Sequence, residues 1–145
     1  DLYKTSNGKY IAPQAIEMVM SGDQYIEQIA VIGDQRKFVS ALIVPAYSLL
    51  EKYAEEKGLA VGSREELVRN KEVLRLIETH IEENQKNLAS YEKIKRFTLL
   101  SEPFTMGAEL TDTLKLRRSV ILKKYADPIE KMYEEASNMW GSNPV

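Results

Sequence analysis

No cysteine occurs among the 145 residues. Disulfides, thiolate catalysis and cysteine-ligated metals are therefore excluded. Histidine is nearly as scarce, with His80 the only one. It lies in Thr79-His80-Ile81-Glu82-Glu83 on a charged helical stretch, where a solvated surface histidine is expected. With no second histidine or cysteine, neither a zinc site nor a nucleophile pair can form around it, and no metal ligand is assigned. No apolar run approaches the ~20 residues of a membrane-spanning helix. No signal-peptide pattern precedes the first periodic segment, and a cytoplasmic origin is expected. Internal repeats and low-complexity segments are also missing. The formal net charge of −2 gives no bias toward nucleic acid, so no nucleic-acid partner is expected.

What is present fits one domain of ordinary hydrophobicity, large enough to bury a core. Ser6-Asn7-Gly8 stands between Leu2–Thr5 and Lys9–Ile11 and signals a hairpin. Pro13 suits a helix start, with Ile16, Val19 and Met20 at helical spacing. Ile26–Ile32 and Phe38–Val44 read as strands around the turn Gly33-Asp34-Gln35-Arg36, the second ended by Pro45. Helical segments follow from Tyr47 to Lys57, from the Ser63-x-x-Glu66 capping pattern, and after Asn70. Ile94–Leu100 reads as a third strand and Pro103–Glu109 as loop. A helix is expected from about Lys115, and Asp127-Pro128 is expected to cap a last one carrying Ile129, Met132, Tyr133, Ala136 and Met139. These elements predict an α+β fold: a small three-stranded sheet packed with helices, plus an N-terminal β-hairpin.

Acidic pairs such as Glu55-Glu56 and Glu82-Glu83 fall on helices and read as solvated faces. Basic residues cluster at Lys93, Lys95 and Arg96, at Lys115, Arg117 and Arg118, and at Lys123 and Lys124. Lys115, Arg117 and Arg118 sit at the expected helix start, where free N–H groups already favour an anion. Solvated side chains and an anion site are both compatible with that spacing. Asn7-Gly8 beside Lys4 and Lys9 is similarly open between a plain turn and a place of close approach. The chain opens at Asp1-Leu2-Tyr3-Lys4 without methionine, and the expectation is a piece of a longer protein.

Four ordered stretches carry a resemblance: DLYKTSNGKYIAPQAIE, IEQIAVIGDQRKFVSALIVP, YEKIKRFTLLSEPFT and ELTDTLKLRRSVI. Together they resemble the C-terminal subdomain of AMP-forming acyl-CoA synthetases of the adenylate-forming superfamily. The long-chain fatty acid–CoA ligase branch is the nearest in wording. The resemblance runs from Asp1 to about Tyr133, and the tail 134–145 lies outside it. It implies a mobile lid that closes on a large N-terminal adenylation domain of the same chain. The full enzyme would form an acyl-adenylate from a fatty acid and ATP with Mg2+, then pass the acyl group to CoA. It would be cytoplasmic or membrane-peripheral, and the piece alone would be inactive.

By the same resemblance Lys115 is the adenylation lysine. Gly8 lets the pantetheine arm pass the hairpin, and Lys9 meets CoA phosphates. Two positions depart from the family pattern: Leu114 stands where many relatives have glycine, and Asp112 where proline is common. Two rival readings stand beside this one. One is a lid serving a different acyl acceptor; the other is a stand-alone polyanion-binding module.

Overall fold

The computed structural model describes residues 1–134. Ala136, Met139 and the tail beyond Glu134 lie outside the described residues. A short hairpin, β1 (Tyr3–Lys4) and β2 (Tyr10–Ile11), leads into α1 (Pro13–Met20). Then come β3 (Ile26–Ile32), β4 (Val39–Pro45), α2 (Tyr47–Glu56), α3 (Arg64–Leu67) and α4 (Lys71–Asn84). One 3-10 turn, Ser90–Glu92, precedes β5 (Ile94–Leu99). A loop leads to α5 (Arg118–Lys124) and α6 (Ala126–Glu134).

The expected α+β architecture is present. β3 and β4 pair antiparallel, β4 and β5 pair parallel, and the hairpin forms a separate two-stranded sheet. The parallel pair requires a crossover, which the helices from α2 to α4 supply. β4 is buried along its whole length, so helices must cover both of its faces. Its inward residues join Ile16, Met20, Leu50, Ile77, Ile81 and Phe97 in one core.

Local chemistry explains most boundaries. Ser63 Oγ accepts from Glu66 N–H, and Asn70 Oδ1 accepts from Glu72 and Val73 N–H, capping α3 and α4. Pro13 begins α1, where its missing N–H costs nothing. Pro45, expected to end the second strand, is its last residue, at the end of the register opposite Ile26.

Three expectations need correction. The helix expected from Lys115 begins only at Arg118, because residues 109–117 fold back on themselves first. His80 is not a solvated histidine. Its Nδ1 lies 2.8 Å from Asp23 Oδ2, its ring meets the Tyr25 ring edge-on, and Asn84 Nδ2 donates to the same Asp23 oxygen. Nor do the basic clusters survive as clusters. Arg96 is buried and donates to Met132 O at 2.7 Å, while Arg118 and Lys124 are paired with carboxylates.

Candidate functional site

Two loops carry the lysines of interest, and the chain builds them alike. In Thr5-Ser6-Asn7-Gly8-Lys9, Thr5 N–H donates to Lys9 O (2.8 Å), Gly8 N–H to Thr5 O (2.9 Å) and Lys9 N–H to Thr5 Oγ1 (3.1 Å). In Thr111-Asp112-Thr113-Leu114-Lys115, Thr111 N–H donates to Lys115 O (2.8 Å), Leu114 N–H to Thr111 O (2.9 Å) and Lys115 N–H to Thr111 Oγ1 (3.0 Å). Each loop needs one left-handed residue before its lysine. Gly8 (φ +82°) fills that place in the first and Leu114 (φ +65°) in the second. Glycine adopts this conformation freely, whereas leucine does so at a cost of about 1–2 kcal/mol.

The hairpin loop is supported by backbone. Gln35 N–H donates to Lys4 O, Ser6 N–H to Arg36 O, and Asp34 Oδ1 accepts from Lys4 N–H. Gly33 eases this docking, since a Cβ there would stand 3.1 Å from Ile11 Cδ1 and that side chain would have to shift. Above Gly8 the space is open, with nothing within 4 Å of a Cβ built there. Lys9 extends over the Tyr91 ring, with its Nζ 5.3 Å from the centroid. Lys93 and Lys95 come shortly after Tyr91 in the chain, and Lys95 Nζ donates to Ser90 O. Burial and the neighbouring Lys93 both push the Lys95 ammonium below the usual lysine range. The hairpin lysine thus lies against the aromatic ring that precedes Lys93 and Lys95 in the chain.

The Lys115 loop is held chiefly by side chains. Gln28 grips its start, exchanging hydrogen bonds with Phe104 N–H and O. Leu110 bridges to Leu116, and Arg117 N–H donates to Glu109 O at 2.7 Å. The Glu109 carboxylate is 1% exposed and accepts from Thr105 N–H (2.9 Å) and from the Lys124 ammonium. Burial pushes its carboxyl up, but the Lys124 and Thr105 hydrogen bonds outweigh burial and hold it below the usual range. Lys115 itself is exposed and makes no ion pair among the described residues. Beside it runs an open groove of about 1290 Å³, lined by Met18, Met106 and Leu114 among others. These three apolar side chains are exposed.

One ion pair ties the two loops together. Arg118, three residues after Lys115, donates to both oxygens of Glu17 at 2.8 Å. Glu17 also accepts from Val31 N–H, while Tyr3 of the hairpin donates to Val31 O. The sequence gives no sign of this network, because its members lie far apart in the chain. Glu109 was likewise missed, since an isolated glutamate before a threonine-rich turn reads as solvated. Among the described residues, no three His, Asp or Glu side chains stand together as a metal site.

Both lysines are exposed, each on a turn of the same hydrogen-bond pattern. The chain belongs to the AMP-binding enzyme C-terminal domain family, which matches residues 1–137. It is similar to long-chain-fatty-acid–CoA ligase 5 of Mus musculus, 34% identical across 92% of this chain and 20% of that protein. It is also similar to long chain acyl-CoA synthetase 8 of Arabidopsis thaliana, 31% identical across 92% and 19%. Among solved structures it resembles the adenylation domain of a carboxylate reductase from Mycobacterium chelonae. That match has a TM-score of 0.75 at 26% identity over 92% of this chain and 19% of that one. The chain thus spans about a fifth of the length of the curated relatives it matches.

Proposed function

We propose that this domain is the mobile lid of a long-chain fatty acid–CoA ligase and that its two loops serve two successive half-reactions. In the first, a fatty acid carboxylate oxygen attacks the α-phosphorus of ATP and pyrophosphate leaves, giving the acyl-adenylate. Lys115 would stand against the carboxylate and phosphoryl oxygens while negative charge builds there, as a compact cation on a long stem. In the second, the CoA sulfur attacks the acyl carbon, AMP leaves and the thiol proton is released. The lid would by then have turned to bring the hairpin inward. The open space over Gly8 would pass the pantetheine arm, and Lys9, with Lys93 and Lys95 near Tyr91, would face the CoA phosphates. Among the described residues no cluster of His, Asp or Glu would hold the Mg2+ that accompanies ATP. The exposed Met18, Met106 and Leu114 beside Lys115 suit a surface that is covered when the lid meets the large domain.

The observation that carries this reading is Lys115: an exposed lysine without an ion pair among the described residues, on a loop whose backbone is fixed at both ends. In the full-length enzyme, Lys115→Ala is expected to abolish most pyrophosphate release from ATP and fatty acid. Conversion of supplied acyl-adenylate to acyl-CoA should continue. Wild-type pyrophosphate release in that variant would reduce Lys115 to a solvated surface lysine.

A second reading keeps the adenylation role and changes the acceptor. It is favoured by the match to a carboxylate reductase adenylation domain. The two readings part on one assay: acyl-adenylate that is consumed only when CoA is added supports the ligase.

A further inference from the structure

Glu109 is a buried carboxylate that neither half-reaction uses. Its side chain is 1% exposed, while its partner Lys124 keeps half of its side chain in solvent. Burying a carboxylate is costly unless it is fully paired and hydrogen-bonded. Here the pairing extends to four points around one residue. The carboxylate accepts from Thr105 N–H at 2.9 Å, faces the Thr105 hydroxyl at 3.5 Å and meets the Lys124 ammonium, while the main-chain oxygen accepts from Arg117 N–H at 2.7 Å. These contacts join the start of the loop, its return and helix α5. Lys115 lies inside that frame and has no side-chain anchor of its own among the described residues.

The hairpin loop shows why a frame is needed at one place and not the other. There the left-handed residue is glycine and the loop is tied by main-chain bonds to the 33–37 turn. In the second loop Leu114 is held in the same conformation against its preference, and its N–H donates within the loop, to Thr111 O. We propose that Glu109 is the positioning residue for Lys115: its buried carboxylate, locked by Lys124 and Thr105, sets where the Lys115 ammonium enters the active site. The proposal rests on the reading in which Lys115 acts in adenylation. It assigns no contact between Glu109 and substrate.

The test uses the full-length enzyme and separates the half-reactions. Glu109→Ala should slow pyrophosphate release on the order of tenfold to a hundredfold, the scale of a displaced catalytic group. Thioester formation from supplied acyl-adenylate should be largely unchanged, because the hairpin does not depend on Glu109. Glu109→Gln, which keeps an acceptor for Thr105 N–H, should recover part of the rate. Combining Glu109→Ala with Lys115→Ala should be no slower than Lys115→Ala alone. Should Glu109→Ala fail to fold, Lys124→Met carries the same expectation, since it removes the lock and leaves the carboxylate in place.

Equal loss in both half-reactions would overturn the proposal in favour of a general role in folding. So would losses of Glu109→Ala and Lys115→Ala that multiply in the double variant. If Lys115→Ala slows adenylation and Glu109→Ala does not, the proposal fails while the reading of Lys115 stands. If Lys115→Ala itself has no effect, both fall.

Discussion

The loops Thr5–Lys9 and Thr111–Lys115 have the same hydrogen-bond pattern and the same left-handed position, yet they are secured by opposite means. The first takes glycine at the difficult position and leans on main-chain bonds to a neighbouring turn. The second takes leucine there and leans on the side chains of Gln28, Glu109 and Lys124. Main-chain support survives most substitutions. Side-chain support does not, so the second loop should be far easier to derange by mutation. The difference also separates what each loop presents. Open space over a bare backbone suits passage of a flexible arm, and a framed lysine suits a charge that must stop at one place.

The largest effect expected from breaking this comparison is at Lys115. Removing one positioned cation from a developing negative charge typically costs roughly 3–4 kcal/mol in the transition state. Adenylation by the Lys115→Ala enzyme should therefore fall on the order of a hundredfold to a thousandfold. Single-turnover pyrophosphate release would show it.

Next comes the link between the loops. Arg118 and Glu17 keep only 18% and 14% of their side chains exposed, and the pair is bidentate. Removing one partner of a fully buried pair costs about 3–5 kcal/mol, and residual exposure lowers this to about 2 kcal/mol. Urea denaturation of Arg118→Ala should show that loss, and an unchanged midpoint would mean the loops are joined some other way.

The left-handed positions sharpen the contrast further. Gly8→Ala meets no steric neighbour, so its cost of about 1 kcal/mol should come from φ alone. Leu114→Gly relieves that strain and should leave stability unchanged or raise it by less than about 1 kcal/mol. Thermal unfolding of both variants would test the asymmetry, and equal destabilisation would contradict it.

The smallest expected effect depends on pH. The Glu109 carboxyl is held below its ordinary value in the folded state, so its contribution is complete above the unfolded carboxylate range, near pH ~4.5. That contribution is lost as pH falls through the lowered folded value. Asp23 shifts in the same direction, its burial outweighed by the bonds from Asn84, Tyr25 N–H and His80. The Glu109 part is therefore the difference between wild type and Glu109→Gln. Their melting temperatures should converge as the pH is lowered, and a constant gap would remove Glu109 from the acid response.

Much of the fold was legible because its signals are local. Ser63 and Asn70 cap the helices they precede, Asn7-Gly8 marks the hairpin, and Ile26–Ile32 has the strand limits its pattern suggests. In the hairpin turn glycine alone, not Asn7, is left-handed. The setting of Lys115 was not legible. The apolar spacing from Leu116 onward looks helical, while the Leu110 to Leu116 bridge that delays the helix joins two ends of a loop. The kinship of the two loops is visible as Thr-x-x-x-Lys in TSNGK and TDTLK. Glycine in one and leucine in the other hides their common backbone. Glu109, Arg118 and His80 were not legible, since the groups that pair with them, Lys124, Glu17 and Asp23, are brought to them only by the fold.

The central claim is that the two loops serve different half-reactions. It is tested most directly by crossing two variants with two assays in the full-length enzyme: Lys115→Ala and Gly8→Leu, each measured for pyrophosphate release and for thioester formation from supplied acyl-adenylate. Lys115→Ala should lose the first and keep the second. Gly8→Leu, which fills the open space over the hairpin, should slow the second more than the first. If both variants slow the same half-reaction, or each slows both alike, the division of labour between the loops is wrong.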